Sequence, residues 1–283
     1  MSDAADRAER EPSGELSGDE AEAVAERKAE SARVVHEAVR LQGVEELARP
    51  ALSLIFSGLA AGVAICTSVV AESALKRDLP EAPWADLVIA LGYPVGYVIA
   101  VLGGLQLFTE STVTAVLPVA SRPSRVNLGR LLRLWVLVFA ANMVGTLIVA
   151  AMMANGLALT PDLRAAALAL ADSHLRHGFM ETLLLGLPAG FLVGAIAWIL
   201  PNARGSEFWV VVAITYVVAI GGFAHVIAGS CEAWLLMFAG ERGAGAAVGG
   251  FILPALLGNI AGGTGLFAVL AHGQVRQELD PED

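Results

Sequence analysis

Two apolar stretches of this chain are interrupted by side chains that could do chemistry. LQLFTESTVTAVLP (105–118) carries Thr109 and Glu110 among further hydroxyl groups, and GGFAHVIAG (221–229) carries His225. A hydroxyl, a carboxylate and an imidazole inside a membrane can hydrogen-bond a passing solute or exchange protons with it. The spacing therefore indicates a transport site built from two distant parts of the chain.

Composition indicates that the apolar stretches lie in a membrane. Of 283 residues, 56% are hydrophobic and 16% are charged, and mean hydropathy is +0.65, whereas soluble domains carry about 25% charged residues. We predict an acidic N-terminal tail (1–49), a transmembrane channel domain (50–272) and an acidic C-terminal tail (273–283). The tails carry nearly all of the net charge of −10, so the composition does not suggest nucleic-acid binding.

The N-terminal tail has no apolar core of a signal peptide, so none is predicted to be cleaved. Residues 1–20 are expected to be disordered, and 20–47 to form an amphipathic helix on the membrane surface. Cys66 and Cys231 lie in apolar stretches without metal-ligand spacing and are interpreted as buried thiols.

Six segments are long and apolar enough to cross a bilayer, each with about 20 residues. They are 51–75, 87–107, 131–154, 179–200, 208–224 and 250–271, with shorter apolar pieces at 113–120 and 226–238. Arginine and lysine are more frequent on one side of these spans, which predicts that both termini are cytoplasmic. The expected location is the inner (cytoplasmic) membrane, crossed several times.

The interruptions fall in the second and fifth predicted spans. Three spans in each half is an odd number, so two similar halves must be inverted relative to each other. Interrupted helices at matching places in inverted halves are typical of a transport site near the midplane. The predicted fold is an all-α membrane protein with six transmembrane helices in two inverted three-helix repeats.

Three motifs resemble the formate/nitrite transporter family: LFT at 107–109, GFAHVIAG at 222–229 and LLGNIAGG at 256–263. The resemblance covers about residues 50–272. It implies a homopentamer in the lipid bilayer, with an aquaporin-like protomer that has its own pore. It further implies passage of a small monovalent anion such as formate, nitrite or hydrosulfide, and no cofactor.

The resemblance also assigns residues to the pore. Thr109 is the expected threonine of the re-entrant loop and His225 the expected central histidine. The outer constriction falls on Tyr93, Tyr97 and Val218, the inner one on Leu107, Phe108 and Val193, and the anion-attracting vestibule on His174, Arg176 and His177.

The chain also departs from the family pattern, which places it with a divergent side branch. Gln106 replaces the acid before LFT, while Glu110 and Glu232 are added inside the membrane. Glu110 is predicted to cap a half-helix that begins near Ser111. Glu232, like Glu181, is expected to pair with a buried partner.

Three functions remain open at this point. The first is a channel or proton-coupled transporter for a small monovalent anion or its conjugate acid. The second is a channel for a cation or small neutral solute, in which Glu110 and Glu232 form the site. An intramembrane hydrolase is disfavoured, because Ser230 lies five residues from His225, away from the neighbours on one helix face, and no partner acid is evident.

Overall fold

A computed structural model describes residues 31–276, and they fold into helices joined by turns. In chain order these are α1 (Ala32–Ala48), α2 (Ala51–Asp78), α3 (Ala85–Leu102), α4 (Phe108–Ser111), α5 (Leu117–Ser121), α6 (Arg125–Ala154), α7 (Pro161–His174), α8 (Phe179–Asn202), α9 (Glu207–Ile220), α10 (Val226–Phe238) and α11 (Ala246–Gly273). The disorder predicted for 1–20, the first part of the predicted amphipathic helix and most of the C-terminal tail lie outside the described residues.

Five helices of the described chain are long and apolar enough to cross a membrane: α2, α3, α6, α8 and α11. The predicted fifth span, 208–224, is a shorter helix that ends at Ile220, so α9 alone does not meet that length. The predicted second span also ends early, at Leu102. In both places the chain breaks and then restarts as a separate helix.

Helix α1 is attached to the body along one face. Ser31 starts it by accepting a hydrogen bond from Val34 N at 3.4 Å. Val35 and Val39 are buried against Val113 and Leu117 of the segment that follows the first break. The N-terminal helix therefore packs directly on the polar stretch 105–118.

Both breaks begin at a glycine in the left-handed region, Gly104 (φ 62°) and Gly222 (φ 61°). A side chain would strain this conformation, which closes the end of a helix in many proteins. The next residue in each break donates its N–H back to the helix, from Leu105 to Ala100 O at 2.9 Å and from Phe223 to Val218 O at 3.0 Å. The two interruptions thus share one backbone geometry.

Each break lies beside a tightly packed helix pair, α2 with α6 and α8 with α11. A methyl group on Gly62 would overlap the backbone of Asn142, and one on Gly190 would overlap the backbone of Asn259. Small residues at such crossings let two backbones approach closely. They also bring each asparagine within reach of the break.

Helix α7 had not been predicted. Pro161 at its first position and Asp162 in its first turn are typical start signals, and its alanine-rich sequence favours a helix. The helix ends at His174, so it carries the first predicted vestibule residue at its C-terminal end.

Candidate functional site

Asn142 of α6 holds the first break in place. Its side chain is fully buried, and its Oδ1 accepts a hydrogen bond from Phe108 N at 2.9 Å. Its Nδ2 donates to Gln106 O at 3.0 Å and to Gly58 O at 2.7 Å. Backbone groups freed by the broken helix are thus satisfied by one amide, as burial inside a membrane requires.

Asn259 of α11 makes the corresponding bonds at the second break. Its Oδ1 accepts from Val226 N at 2.9 Å, and its Nδ2 donates to Ala224 O at 2.8 Å and to Gly186 O at 3.0 Å. The two halves of the chain therefore use the same side chain, the same atoms and matching backbone partners to hold the two interruptions.

Thr109 and His225 meet where the two breaks approach each other. Thr109 Oγ1 lies 2.8 Å from His225 Nε2, and both side chains are buried. Ala228 N donates to His225 Nδ1 at 3.2 Å, so Nδ1 is an acceptor and the proton of the neutral ring lies on Nε2. His225 then donates to Thr109, whose own hydroxyl hydrogen remains available for a solute.

The bond to Ala228 N also makes the His225 side chain the cap of helix α10. Nδ1 of His225 thus makes a structural bond within its own break, and Nε2 makes a polar contact with Thr109 of the other break. A neutral imidazole suits this buried position, since a charge there would be costly.

Two tyrosines extend this polar pair outwards. The Tyr97 ring packs edge-on against His225 with centroids 5.1 Å apart, and Tyr97 and Tyr93 hydroxyl oxygens are 2.7 Å apart. Tyr93 and Val218 line a cavity that also reaches His225. Of the residues expected at the outer constriction, Tyr93 and Val218 therefore line this cavity, and Tyr97 contacts His225.

This cavity, named the outer cavity after the predicted side of the membrane, has a volume of about 190 Å³ and contains ionisable groups. His174 Nδ1 lies 2.8 Å from Glu232 Oε1, and Glu72 also lines the wall. The Glu232 carboxylate raises the pKa of His174 to about 9, against the opposing effect of burial. His174 is therefore an imidazolium at neutral pH, but its charge is balanced by the adjacent carboxylate.

The other expected vestibule residues occupy different surroundings. His177 lines the outer cavity and pairs with Glu181 at 2.7 Å. Arg176 is not among the lining residues: its side chain is 67% exposed and bonds Asp172 at 3.1 Å. The Glu181 partner is itself exposed, so the buried partner expected for this glutamate is not found.

A second cavity of about 270 Å³, named the inner cavity after the predicted cytoplasmic side, is lined by Leu107 and Glu110. The prediction that Glu110 caps a half-helix at Ser111 is wrong. The short helix begins at Phe108 after Leu107 and has no side-chain cap bond, so Glu110 lies within its first turn. The carboxylate faces a cavity instead of a row of free N–H groups.

A second carboxylate, Glu46 of α1, lines the same inner cavity. Glu46 accepts hydrogen bonds from Thr114 Oγ1 at 2.7 Å and from Gln42 Nε2 at 3.2 Å. Burial raises the pKa of the Glu46 carboxyl above its ordinary value, and the bond from Thr114 partly offsets this. The N-terminal helix therefore contributes an acid to the inner cavity.

Two residues expected at the inner constriction line neither of these cavities. Phe108 is buried and packs edge-on against Trp135 and Phe139 of α6. Val193 is buried in the same core as Phe108. Leu107 is the one of the three that reaches a cavity wall.

Comparison with known proteins identifies the family of this chain. The family model described as "Formate/nitrite transporter" matches residues 33–273. The chain belongs to the formate/nitrite transporter family. It is a multi-pass membrane protein, and the matched region contains both helix breaks, both asparagines and both cavities.

Individual relatives agree. The chain is 34% identical to "Inner membrane protein YfdC" of Escherichia coli (strain K12) over 248 residues, covering 88% of this chain and 80% of that protein. It is 29% identical to "Formate channel FocA" of the same organism over 205 residues, covering 70% and 69%. Among solved structures, "Pentameric formate channel with formate bound" shares its fold, with a TM-score of 0.68, 22% identity and coverage of 80% and 97%.

The family motifs pointed to Thr109 and His225, but four other groups at these sites were missed. Asn142 and Asn259 had no assigned role at the breaks, and Glu46 had been placed on a surface helix. Glu72 lies near the end of the first apolar span, a position typical of contact with lipid headgroups, whereas the structure buries it in the outer cavity wall. A search for polar residues inside apolar spans would have found three of the four.

Proposed function

We propose that this protein is a membrane channel, or proton-coupled transporter, for a small monovalent anion that crosses the constriction as its conjugate acid. The observation that carries the proposal is the hydrogen-bonded Thr109–His225 pair between two cavities. Both groups are neutral there. They can hydrogen-bond a solute, but they supply no positive charge that would balance the charge of an anion. Formate, nitrite and hydrosulfide are the substrate class, in keeping with the formate channels among the relatives.

Desolvation supplies the reason for a neutral permeant. Moving a bare anion into an apolar constriction is expensive, and desolvation raises the proton affinity of a carboxylate. The imidazolium of His174 pairs with Glu232 through Nδ1, and its Nε2–H can donate to an anion in the outer cavity, while Tyr93, Tyr97 and Leu107 restrict the path. The hydroxyl of Thr109 then replaces part of the lost hydration.

The architecture proposed for this function has six membrane crossings in two inverted repeats. The fifth crossing consists of α9 followed after the break by α10, and the second of α3 followed by α4 and α5. The equivalent bonds of Asn142 and Asn259 support the repeat. We further propose a homopentamer with an aquaporin-like protomer in the inner membrane, with both termini cytoplasmic, by analogy with the pentameric neighbour and the inner-membrane relative.

The test is flux through purified protein in liposomes. His225→Phe removes the donor to Thr109, and Thr109→Val removes the hydroxyl, so each should abolish most formate uptake. The double variant should be no worse than either single one, because the two groups act as a unit. Thr215→Val is the matched control: Thr215 is equally buried but bonds only backbone of its own helix, chiefly Val211 O at 2.7 Å.

The expected result is flux of formate, nitrite and hydrosulfide through the wild-type protein, with most of it lost in the His225 and Thr109 variants. Undiminished formate flux in a correctly assembled His225→Phe protein would overturn the proposal. Ammonium and glycerol belong in the same assay, because they probe the second candidate function.

That second candidate is a channel for a cation or small neutral solute. Carboxylates line both cavities, Glu72 and Glu232 outside the constriction and Glu46 and Glu110 inside it. Wherever these carboxyl groups are ionised they repel anions, so this arrangement favours cations or neutral solutes. Ammonium flux that disappears in Glu110→Gln, together with absent formate flux, would move this candidate to first place.

A further inference from the structure

A third cavity lies apart from the proposed pore, between the N-terminal helix and the C-terminal end of the described chain. Its volume is about 610 Å³. Three separate parts of the chain form its wall: α1, the end of α5 with the turn that follows it, and the end of α11 with the residues just after it. The lining residues are His36, Glu37, Arg40, Ala120, Ser121, Arg122, Pro123, His272 and Arg276.

The charges on this wall are strongly unbalanced. Among the described residues, three arginines, Arg40, Arg122 and Arg276, face one carboxylate, Glu37. Glu37 is already engaged by Arg40 through two bonds of 2.5 and 2.6 Å. Within residues 31–276 the guanidinium groups of Arg122 and Arg276 have no hydrogen-bonded or ion-pair partner. The cavity therefore carries an excess of about two positive charges with free donors.

Two buried polar atoms on the same wall also have no partner among the described residues: His36 Nδ1 and Ser121 Oγ. The side chain of His36 is fully buried, and its Nε2 lies 3.0 Å from His272 Nδ1. When His272 donates in this pair, His36 carries its proton on Nδ1, where no acceptor is found. An unsatisfied buried polar atom is uncommon in a native protein, and two on one wall call for a ligand that accepts hydrogen bonds.

We propose that this cavity is a binding site for a phosphate group, held by Arg40, Arg122 and Arg276 with hydrogen bonds from the His36 and Ser121 side chains. Guanidinium groups pair with phosphate oxygens through parallel hydrogen bonds. The excess of about two positive charges matches a dianion better than a monovalent one. The volume leaves room for an organic substituent, so the phosphate belongs either to a free ion or ester or to a lipid headgroup.

Binding here would add a shared ligand to three elements that already contact one another. It would fix α1 against the end of α11, where His36 and His272 already touch. Helix α1 is also linked to the segment beside the inner cavity, because Thr114 Oγ1 donates a hydrogen bond to Glu46. Occupancy of the phosphate site would thus stabilise the segment that follows the first helix break.

The test uses the full-length protein in nanodiscs of phosphatidylcholine. Inorganic phosphate, sulfate and chloride are titrated at constant ionic strength while the melting temperature is recorded. Phosphate should raise the melting temperature saturably, and chloride should not. Arg122→Gln and Arg276→Gln should each weaken phosphate binding by roughly tenfold or more. Glu37→Gln, which removes the one acid, should tighten it.

Arg125→Gln is the matched control, because Arg125 is exposed at the start of α6, three residues from Arg122, and does not line the cavity. It should leave phosphate binding unchanged. All four variants alter exposed or half-exposed residues, so each should melt near the parent temperature without phosphate.

A second arm identifies the source of the phosphate group. Parent protein is purified into nanodiscs containing phosphatidic acid or phosphatidylcholine alone, and bound lipid is counted by native mass spectrometry. Retention of phosphatidic acid that is lost in Arg122→Gln assigns the site to lipid, and a response to inorganic phosphate alone assigns it to a free ion. The proposal is overturned if neither probe binds, if chloride acts like phosphate, or if Arg125→Gln weakens binding as much as Arg122→Gln.

Discussion

Replacing Asn142 by alanine should release the first helix break without unfolding the protein. Asn142 makes three hydrogen bonds from a fully buried side chain. Gly58 O lies inside helix α2, where it can also accept the ordinary helical bond. Phe108 N and Gln106 O lie at the break and lose a bond that no helix replaces.

The expected cost follows from these two groups. A buried backbone group left without its partner costs about 1–3 kcal/mol, so the local loss is roughly 2–6 kcal/mol. Amide exchange across 104–111 should then be at least about thirtyfold faster than in the parent, because each 1.4 kcal/mol is a factor of ten in an opening equilibrium. Formate flux should fall with it, since Thr109 lies in the released segment.

The measurement is hydrogen–deuterium exchange of protein in nanodiscs, read by peptide and paired with a liposome flux assay. Asn142→Asp separates the two ends of the amide: it keeps the acceptor for Phe108 N and loses the donors. Asn155→Ala is the control, because Asn155 caps the exposed end of the same helix and bonds only Ala151 O.

The second asparagine makes the prediction more specific. Asn259→Ala should accelerate exchange across 222–228 and leave 104–111 close to the parent, while Asn142→Ala should do the reverse. Unchanged exchange at 104–111 in Asn142→Ala would contradict the anchoring role of this asparagine. Equal loosening of the whole protein in both variants would contradict it as well.

Three further outcomes are expected. Thr109→Val should reduce formate flux with little change in melting temperature, because it keeps the side-chain shape; a large stability loss would instead show that the threonine is structural. Glu110→Gln should increase anion entry from the inner cavity at alkaline pH, measured by flux at matched gradients, because at that pH it removes a carboxylate charge that repels anions; unchanged anion flux at alkaline pH would contradict this. His174 has a raised folded pKa of about 9, so its pairing with Glu232 stabilises the protein fully below pH 6.5 and is lost as pH rises through about 9. The melting temperature should fall over that window, by a small amount because the His174 side chain is 44% exposed, and Glu232→Gln should flatten the profile.

The membrane helices and their breaks could be predicted from the sequence because those signals are local. Apolar length identifies the spans, and glycines with polar residues mark the interruptions at 103–107 and 221–225. Residues that act through distant partners could not be predicted in this way. Glu72 near the end of an apolar span suggests a lipid headgroup until α7 and α10 are known to pack over it.

The error at Glu110 has the same origin. A helix start was inferred near Ser111, where a carboxylate just before it would act as a cap. The helix begins three residues earlier, because Asn142 binds the amide of Phe108 and so fixes the first turn there. The neighbour that gives Glu110 its surroundings is α1, which packs on this segment through contacts far apart in the sequence.

The two breaks share their anchors but differ in the residue at the turn itself. Immediately before the amide that Asn142 binds stands Leu107, and immediately before the amide that Asn259 binds stands His225. Leu107 lines the inner cavity and His225 the outer one, so matching positions of the two halves meet the path from opposite sides. One half thus contributes an apolar barrier and the other a hydrogen-bond donor. This difference makes the proposed path asymmetric: a solute from the outer cavity reaches the polar pair of Thr109 and His225 before it meets the apolar side chain.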